Sequence, residues 1–152
     1  MKKLKITALA FAAGVLITLG NQAYAGGIGY INYQKVQENF PFAQQAVKDI
    51  DAKALEMQQY MVDKEKQYKS LSTPLQKQNF EEATAKEFKM KEDAYMKLKA
   101  SKEEQVYNKI QAATKQVLVE QKLDAILDYR VIFVGGVDIS DLVIQKLKTG
   151  KF

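Results

Sequence analysis

The chain of 152 residues has no cysteine, no histidine and no tryptophan, and only two prolines. Without cysteine there is no disulfide framework and no thiol nucleophile. Without histidine the commonest metal ligand and the usual general base near neutral pH are also missing. Carboxylate pairs exist, Glu81 with Glu82 and Glu103 with Glu104, but they sit among lysines on segments of helical pattern and read as solvated surface. Gly27-Ile28-Gly29 precedes a strand pattern instead of following one, and Gly135-Gly136-Val137-Asp138 lacks the Lys-Ser/Thr of a phosphate loop. The expectation is therefore a protein that is not an enzyme, with no catalytic residues, no metal and no cofactor.

What is present begins with a leader. Lys2, Lys3 and Lys5 precede an apolar run from Ile6 to Leu19, and Ala23-Tyr24-Ala25 fits a small-x-small cleavage site. This predicts a secretory signal peptide over residues 1–25, cut after Ala25. The run is shorter than the roughly 18 to 20 residues a membrane span needs, and no cysteine stands at the cleavage site to carry a lipid anchor. Removing the three leader lysines from the 23 basic residues leaves 20 against 18 acidic, a net charge of +2. Between Lys64 and Lys102 ten lysines face six acids, so the middle of the chain is the basic part. Interleaved acids make most of these lysines a solubilising helix face and argue against nucleic acid as a partner; a weak attraction for an anionic membrane surface is the sharper alternative.

From Pro41 to Gln121 two long helical patterns flank a break at Leu71-Ser72-Thr73-Pro74. In the first, Ala43, Val47, Ile50, Ala54, Met57, Met61, Lys64, Tyr68 and Leu71 form a heptad stripe. In the second, Tyr95, Leu98, Lys102, Val106, Ile110, Ala113 and Val117 keep to one face, with successive four-residue steps that stretch the repeat toward eleven and relax supercoiling. Pro74 disfavours helix at Thr73 and fits the first turn of the next helix. An antiparallel helical hairpin follows, residues 41–121, with its tip near 71–80. Helices of about 38 and 45 residues give arms of roughly 55 to 65 Å.

The hairpin carries Tyr60, Tyr68, Phe80, Phe88, Tyr95 and Tyr107, with Met57, Met61, Met90 and Met96 among them. Packing between the helices accounts for Tyr68, Tyr95 and Met61. A two-helix seam is narrow, so other apolar groups must face outward, where adaptable side chains form a binding surface of low specificity. Phe80 and Met90 lead that set, joined by Tyr60, Phe88 and Met96, with Lys77, Lys86 and Lys89 beside them.

The two ends hold the strand signal. Ile28-Gly29-Tyr30-Ile31 reads as a strand, with Asn32 capping a helix from Tyr33 that carries Val36 and Phe40 before Pro41 kinks or breaks it. Leu123 to Asp128 fits helix or strand by periodicity, while Val131-Ile132-Phe133-Val134 is a strong strand signal; a turn at Tyr129-Arg130 would make the two a hairpin. Val137 to Asp141 offers a cap for a terminal helix with Leu142, Val143, Ile144 and Leu147 on its apolar side. The fold class expected is α+β, mostly helical: a small β-rich base from residues 26–40 and 122–152, and one projecting coiled-coil arm.

The segment Ile28-Gly29-Tyr30-Ile31-Asn32 with Gln34-Lys35-Val36, and the end from Leu123 to Asp128, Val131 to Gly136 and Val137-Asp138-Ile139-Ser140-Asp141-Leu142-Val143, resemble the Skp (OmpH) family of periplasmic chaperones. The likeness spans the mature chain, and its specificity lies in the two ends, the arm being generic coiled coil. It implies a homotrimer whose strands form a small β-barrel base, three hairpins around a cavity, and ATP-independent holding of unfolded outer-membrane proteins in the periplasm. It also implies a strand at Leu123 to Asp128, and core or subunit-contact roles for Ile28, Tyr30, Ile126, Ile132 and Val134. The low charge and single arginine, Arg130, give no basis for a lipopolysaccharide site. A non-enzymatic coiled-coil scaffold or spacer of the cell envelope is the alternative.

Overall fold

A computed structural model describes residues 26–152; the leader expected over residues 1–25 lies outside them. Strand β1 (Ile28–Ile31) leads into helix α1 (Tyr33–Glu38), and α2 (Pro41–Lys69) and α3 (Pro74–Glu120) follow. Strand β2 (Ala125–Asp128), a 3-10 turn (Tyr129–Val131), the two-residue strand β3 (Val137–Asp138) and helix α4 (Ser140–Thr149) complete the chain. The protein is α+β and mostly helical. Among the described residues no helix is long and apolar enough to cross a membrane.

Each boundary has a local cause. Asn32 Oδ1 accepts the Lys35 backbone N–H at 3.0 Å and caps α1. At Phe40 the backbone is extended and Pro41 opens α2, so the chain breaks cleanly between the two helices. Of the kink or break expected at Pro41 the structure has the break, so the length of about 38 residues counted across it is divided, and α2 has 29 residues against 47 in α3. At the tip Thr73 and Gln76 form a reciprocal capping box and Pro74 takes the first turn of α3. Gly150, at φ +66°, closes α4 in the left-handed conformation that a residue without Cβ adopts most easily.

α2 and α3 lie antiparallel. Tyr68 packs on Phe80 near the turn; farther from it Tyr60 and Lys64 meet Glu87, Glu56 meets Lys91, and Asp49 meets Lys102. On α3 the expected stripe from Tyr95 to Val117 is buried or half-buried throughout. On α2 the stripe is shifted. Ala46, Lys53 and Tyr60 turn inward where Val47, Ala54 and Met61 were expected, and those three are exposed on the flank. Ala46 is small enough for close approach, and long polar side chains lay apolar stems along a partner while their tips reach solvent or a carboxylate. Hydrophobicity alone therefore selects the wrong neighbour by one residue.

The sheet has the order β2-β1-β3, with β1 central and parallel to both neighbours. The hairpin expected between residues 123–128 and 131–134 does not form. Asp128 accepts hydrogen bonds from the Arg130 backbone N–H and guanidinium, which closes the 3-10 turn directly after β2. Residues 132–136 then form no strand, Val134 is 86% exposed and Phe133 is fully exposed.

On β1 the residue turned toward the core lies between Ile28 and Tyr30, for which the resemblance implied a core or a subunit-contact role. Gly29 is the buried residue, and a Cβ there would stand 2.7 Å from Leu123 Cδ1, so a larger residue would have to push that side-chain end aside. Ile31 and Ile126 pack against the core from the same side, while Ile28 is 48% exposed.

The core joins both ends of the chain to the root of the hairpin. Val36, Phe40, Ala43, Ala46, Val106, Ile110, Ala113, Val117, Ile139, Val143, Ile144 and Leu147 form one buried cluster. The Asn32 backbone N–H donates to the buried Ser140 Oγ at 2.9 Å, and the Ile139 N–H to the Tyr30 carbonyl at 3.0 Å, which fixes α4 against β1. This cluster crosses the boundaries expected at residues 40 and 121.

Candidate functional site

Beyond Ala46 and Val106 the hairpin has no fully buried side chain. Its outer seam is made of aromatic rings and charges. The Tyr60 hydroxyl donates to Glu87 Oε2 at 2.7 Å, and the amines of Lys64 and Lys91 lie 5.2 and 5.0 Å from the centroid of the Tyr60 ring. Lys64 also pairs with Glu87 at 2.8 Å and stands 5.4 Å from the Phe80 centroid.

Hydrogen bonds from Lys64 and then Tyr60 hold the Glu87 carboxyl below its ordinary pKa. Partial burial, and then the bond to Glu87, raises Tyr60. Lys53 and then Lys91 lower Glu56, and Lys102 and then Gln45 lower Asp49. These carboxylates sit on the two-helix seam, so their charge contributes to its closure. Exposed pairs of this kind each contribute little, and their combined geometry matters more than any one bond.

On one side of this seam, near the tip, lies an open cleft of about 410 Å³. Met61, Tyr68, Phe80, Thr84 and Phe88 form its walls, with Ala85 at the edge. The four-residue spacing of Phe80, Thr84 and Phe88 puts them on one face of α3, a signal already present in the sequence. The Thr84 Oγ1 is shielded from solvent and has no hydrogen-bond partner among the described residues.

The residues singled out for outward contact are distributed unevenly over this geometry. Phe80 is half-buried against Tyr68, in the seam and not off it, but its ring reaches the cleft. Phe88 also lines the cleft. Tyr60 is held in the cation-lined seam. Met90 is 72% exposed and Met96 is also exposed. Lys77 stands 5.3 Å from the Tyr68 ring centroid, Lys86 is exposed, and Lys89 pairs with Asp93 and Glu92. Met61, assigned by pattern to the helix seam, belongs with the cleft.

At the other end of the molecule a second apolar surface is uncovered. Ile28, Leu127, Val131, Phe133 and Val134 are exposed, and Tyr30 and Ile132 are half-buried; Ile126, paired with Gly29, is half-buried on the core side of the sheet. The register pairs Tyr30 with Leu127, so the sheet face turned away from the helices is apolar. Among the described residues no cluster of carboxylates has the arrangement of a metal site.

The family described as "Outer membrane protein (OmpH-like)" matches residues 27–147. No curated protein matches the chain significantly. Among solved structures, one from Caulobacter crescentus CB15 whose name describes an OmpH-like outer membrane chaperone is 14% identical, over 82% of this chain and 85% of that one, with a TM-score of 0.37.

Proposed function

We propose a chaperone function from the premise that the chain belongs to the OmpH-like family. The specific reading is an ATP-independent holdase of the periplasm that keeps unfolded outer-membrane proteins from aggregating. The observation that carries it is the arm's surface: Met61, Met90, Met96, Leu55 and Val62 are exposed on helices whose charges are largely paired with one another. Flexible thioethers and aliphatics adapt to many apolar partners, so such a surface suits clients without a common sequence.

Each contact is weak. Several on one arm, multiplied over the arms of an oligomer, raise the effective concentration and hold a client firmly while any single contact opens easily. A homotrimer is part of the proposal, and the uncovered apolar face around Ile28, Tyr30, Leu127 and Val134 supports it, since exposed apolar strand surface is stabilised by association. Residues 26–40 and 122–152 then act as the assembly base and residues 41–121 as the arm. The alternative, a passive envelope spacer, accounts for the paired seam charges but leaves the exposed methionines without a role.

Aggregation of an unfolded β-barrel protein, followed by light scattering without nucleotide, tests the reading. Suppression at stoichiometric trimer is expected, and unchanged aggregation would sink it. Binding should weaken moderately with salt and persist through its apolar component. Complete loss at about 0.3 M salt, beyond ordinary screening, would count against mixed contacts.

A further inference from the structure

We infer that the cleft at the tip of the arm is a subsite for one aromatic side chain of an extended polypeptide. This deepens the chaperone reading and rests on it. The volume of about 410 Å³ is near the small end of the roughly 300 to 1,000 Å³ of ligand pockets and admits a side chain, not a folded domain. Its walls offer the faces and edges of Phe80 and Phe88 and the thioether of Met61, which pack favourably against another ring.

Electrostatics disfavour an anionic occupant. Lys64 at the rim is engaged by Glu87, Glu65 by Lys69, and Glu81 lies beside the Tyr68 hydroxyl, whose pKa it raises. The rim therefore presents no unpaired cation to a phosphate, a lipid headgroup or an acidic peptide, and Glu81 adds a negative charge there. Strands of outer-membrane barrels alternate apolar and polar residues and carry aromatic girdles near their ends, so an extended segment of such a client can present one ring to the cleft.

The chain lacks tryptophan, so the emission of a Trp-containing peptide reports the cleft without background. The probe is a neutral peptide of about a dozen residues with one central Trp, and the competitors carry Phe or Ala in its place. A blue shift on binding is expected, with the Phe competitor about tenfold stronger than the Ala competitor, as burial of one ring predicts.

Ala85→Leu plugs the cleft at an exposed helical position with another good helix former, and it should bring the two competitors within about twofold. An unaltered ratio in Ala85→Leu, or no preference for Phe in the unmodified protein, would overturn the proposal. So would a change of molar mass in Ala85→Leu, which would assign the cleft to contact between copies. Light-scattering assays on the same samples separate the two levels: suppression of aggregation without Phe preference removes only the cleft, whereas Phe preference without suppression supports the cleft and removes the chaperone reading.

Discussion

The root of the hairpin and its outer half share one helical seam but not one chemistry. At the root, Ala43, Ala46, Val106, Ile110, Ala113 and Val117 are buried and backed by Val36, Ile139 and Val143. Farther out the same inward positions are taken by Lys53, Met57, Tyr60, Lys64 and Tyr68 on α2 and by Lys77, Phe80, Phe88, Lys91 and Tyr95 on α3, none fully buried. Burial of apolar surface stabilises the root strongly, whereas exposed ion pairs and cation–π contacts stabilise the outer half weakly. The difference teaches where the molecule is rigid and where it can yield. Regions with few buried apolar contacts open locally at low free-energy cost, and a surface that accepts varied partners is expected to lie in such a region.

The largest effect that would sharpen this contrast is truncation at the root. Ile110→Ala should destabilise the fold by about 2 to 5 kcal/mol, whereas the half-buried Leu98→Ala should cost only about 1 to 2 kcal/mol. Urea unfolding followed by circular dichroism measures both, and equal losses would erase the distinction.

Next in size is assembly. Phe133→Asp together with Val134→Asp should lower the molar mass in sedimentation equilibrium while leaving helical content unchanged. An unaltered mass would show that this exposed segment is not an intersubunit contact.

Acid should separate the two regions less sharply. Asp49, Glu56 and Glu87 have folded pKa values below their ordinary ones, 3.8 for the aspartate and 4.5 for the glutamates. Groups shifted downward contribute stability above the ordinary value, and that contribution is lost as pH falls through the folded value. Hydrogen exchange corrected for intrinsic rates should show protection falling first in residues 49–68 and 77–102 as pH drops below about 4.5; Glu120, Asp128 and Asp138 at the base are lowered too, but there the buried apolar cluster holds the fold after they are protonated. Simultaneous loss would contradict a softer outer arm.

The smallest effect belongs to a single seam charge. Glu87→Gln should raise exchange only around Tyr60, Lys64 and Lys91 and leave the unfolding midpoint of the whole protein nearly unchanged. A large drop in that midpoint would mean that the charges, and not the apolar root, carry the fold.

Much of this architecture was legible along the chain because its causes are local. Asn32, Thr73 with Gln76, and Pro74 act within one helical turn, and the three- and four-residue steps of α3 mark its buried face directly. The seam of α2 was less legible. Ala46 against Val47, Lys53 against Ala54 and Tyr60 against Met61 are decided by the width and polarity of the partner surface, which hydropathy does not encode. The cleft was half legible. Phe80 and Phe88 stood out as aromatics, but Thr84 and Ala85 matter only because α2 places Met61 and Tyr68 opposite them.

By itself the sequence determined two long helices, the position of the reversal, a β-prone pair of ends and the lack of histidine and cysteine chemistry. Those follow from residue type, spacing and local hydrogen bonding. Only the tertiary structure decided that β1 is the central strand of a parallel sheet with Gly29 turned inward, and that Val131 to Val134 has no strand partner among the described residues. It also decided which side of the hairpin holds the cleft. Each depends on what lies across from a residue, at contact distances of a few ångströms between segments up to about a hundred positions apart, as between Asn32 and Ser140.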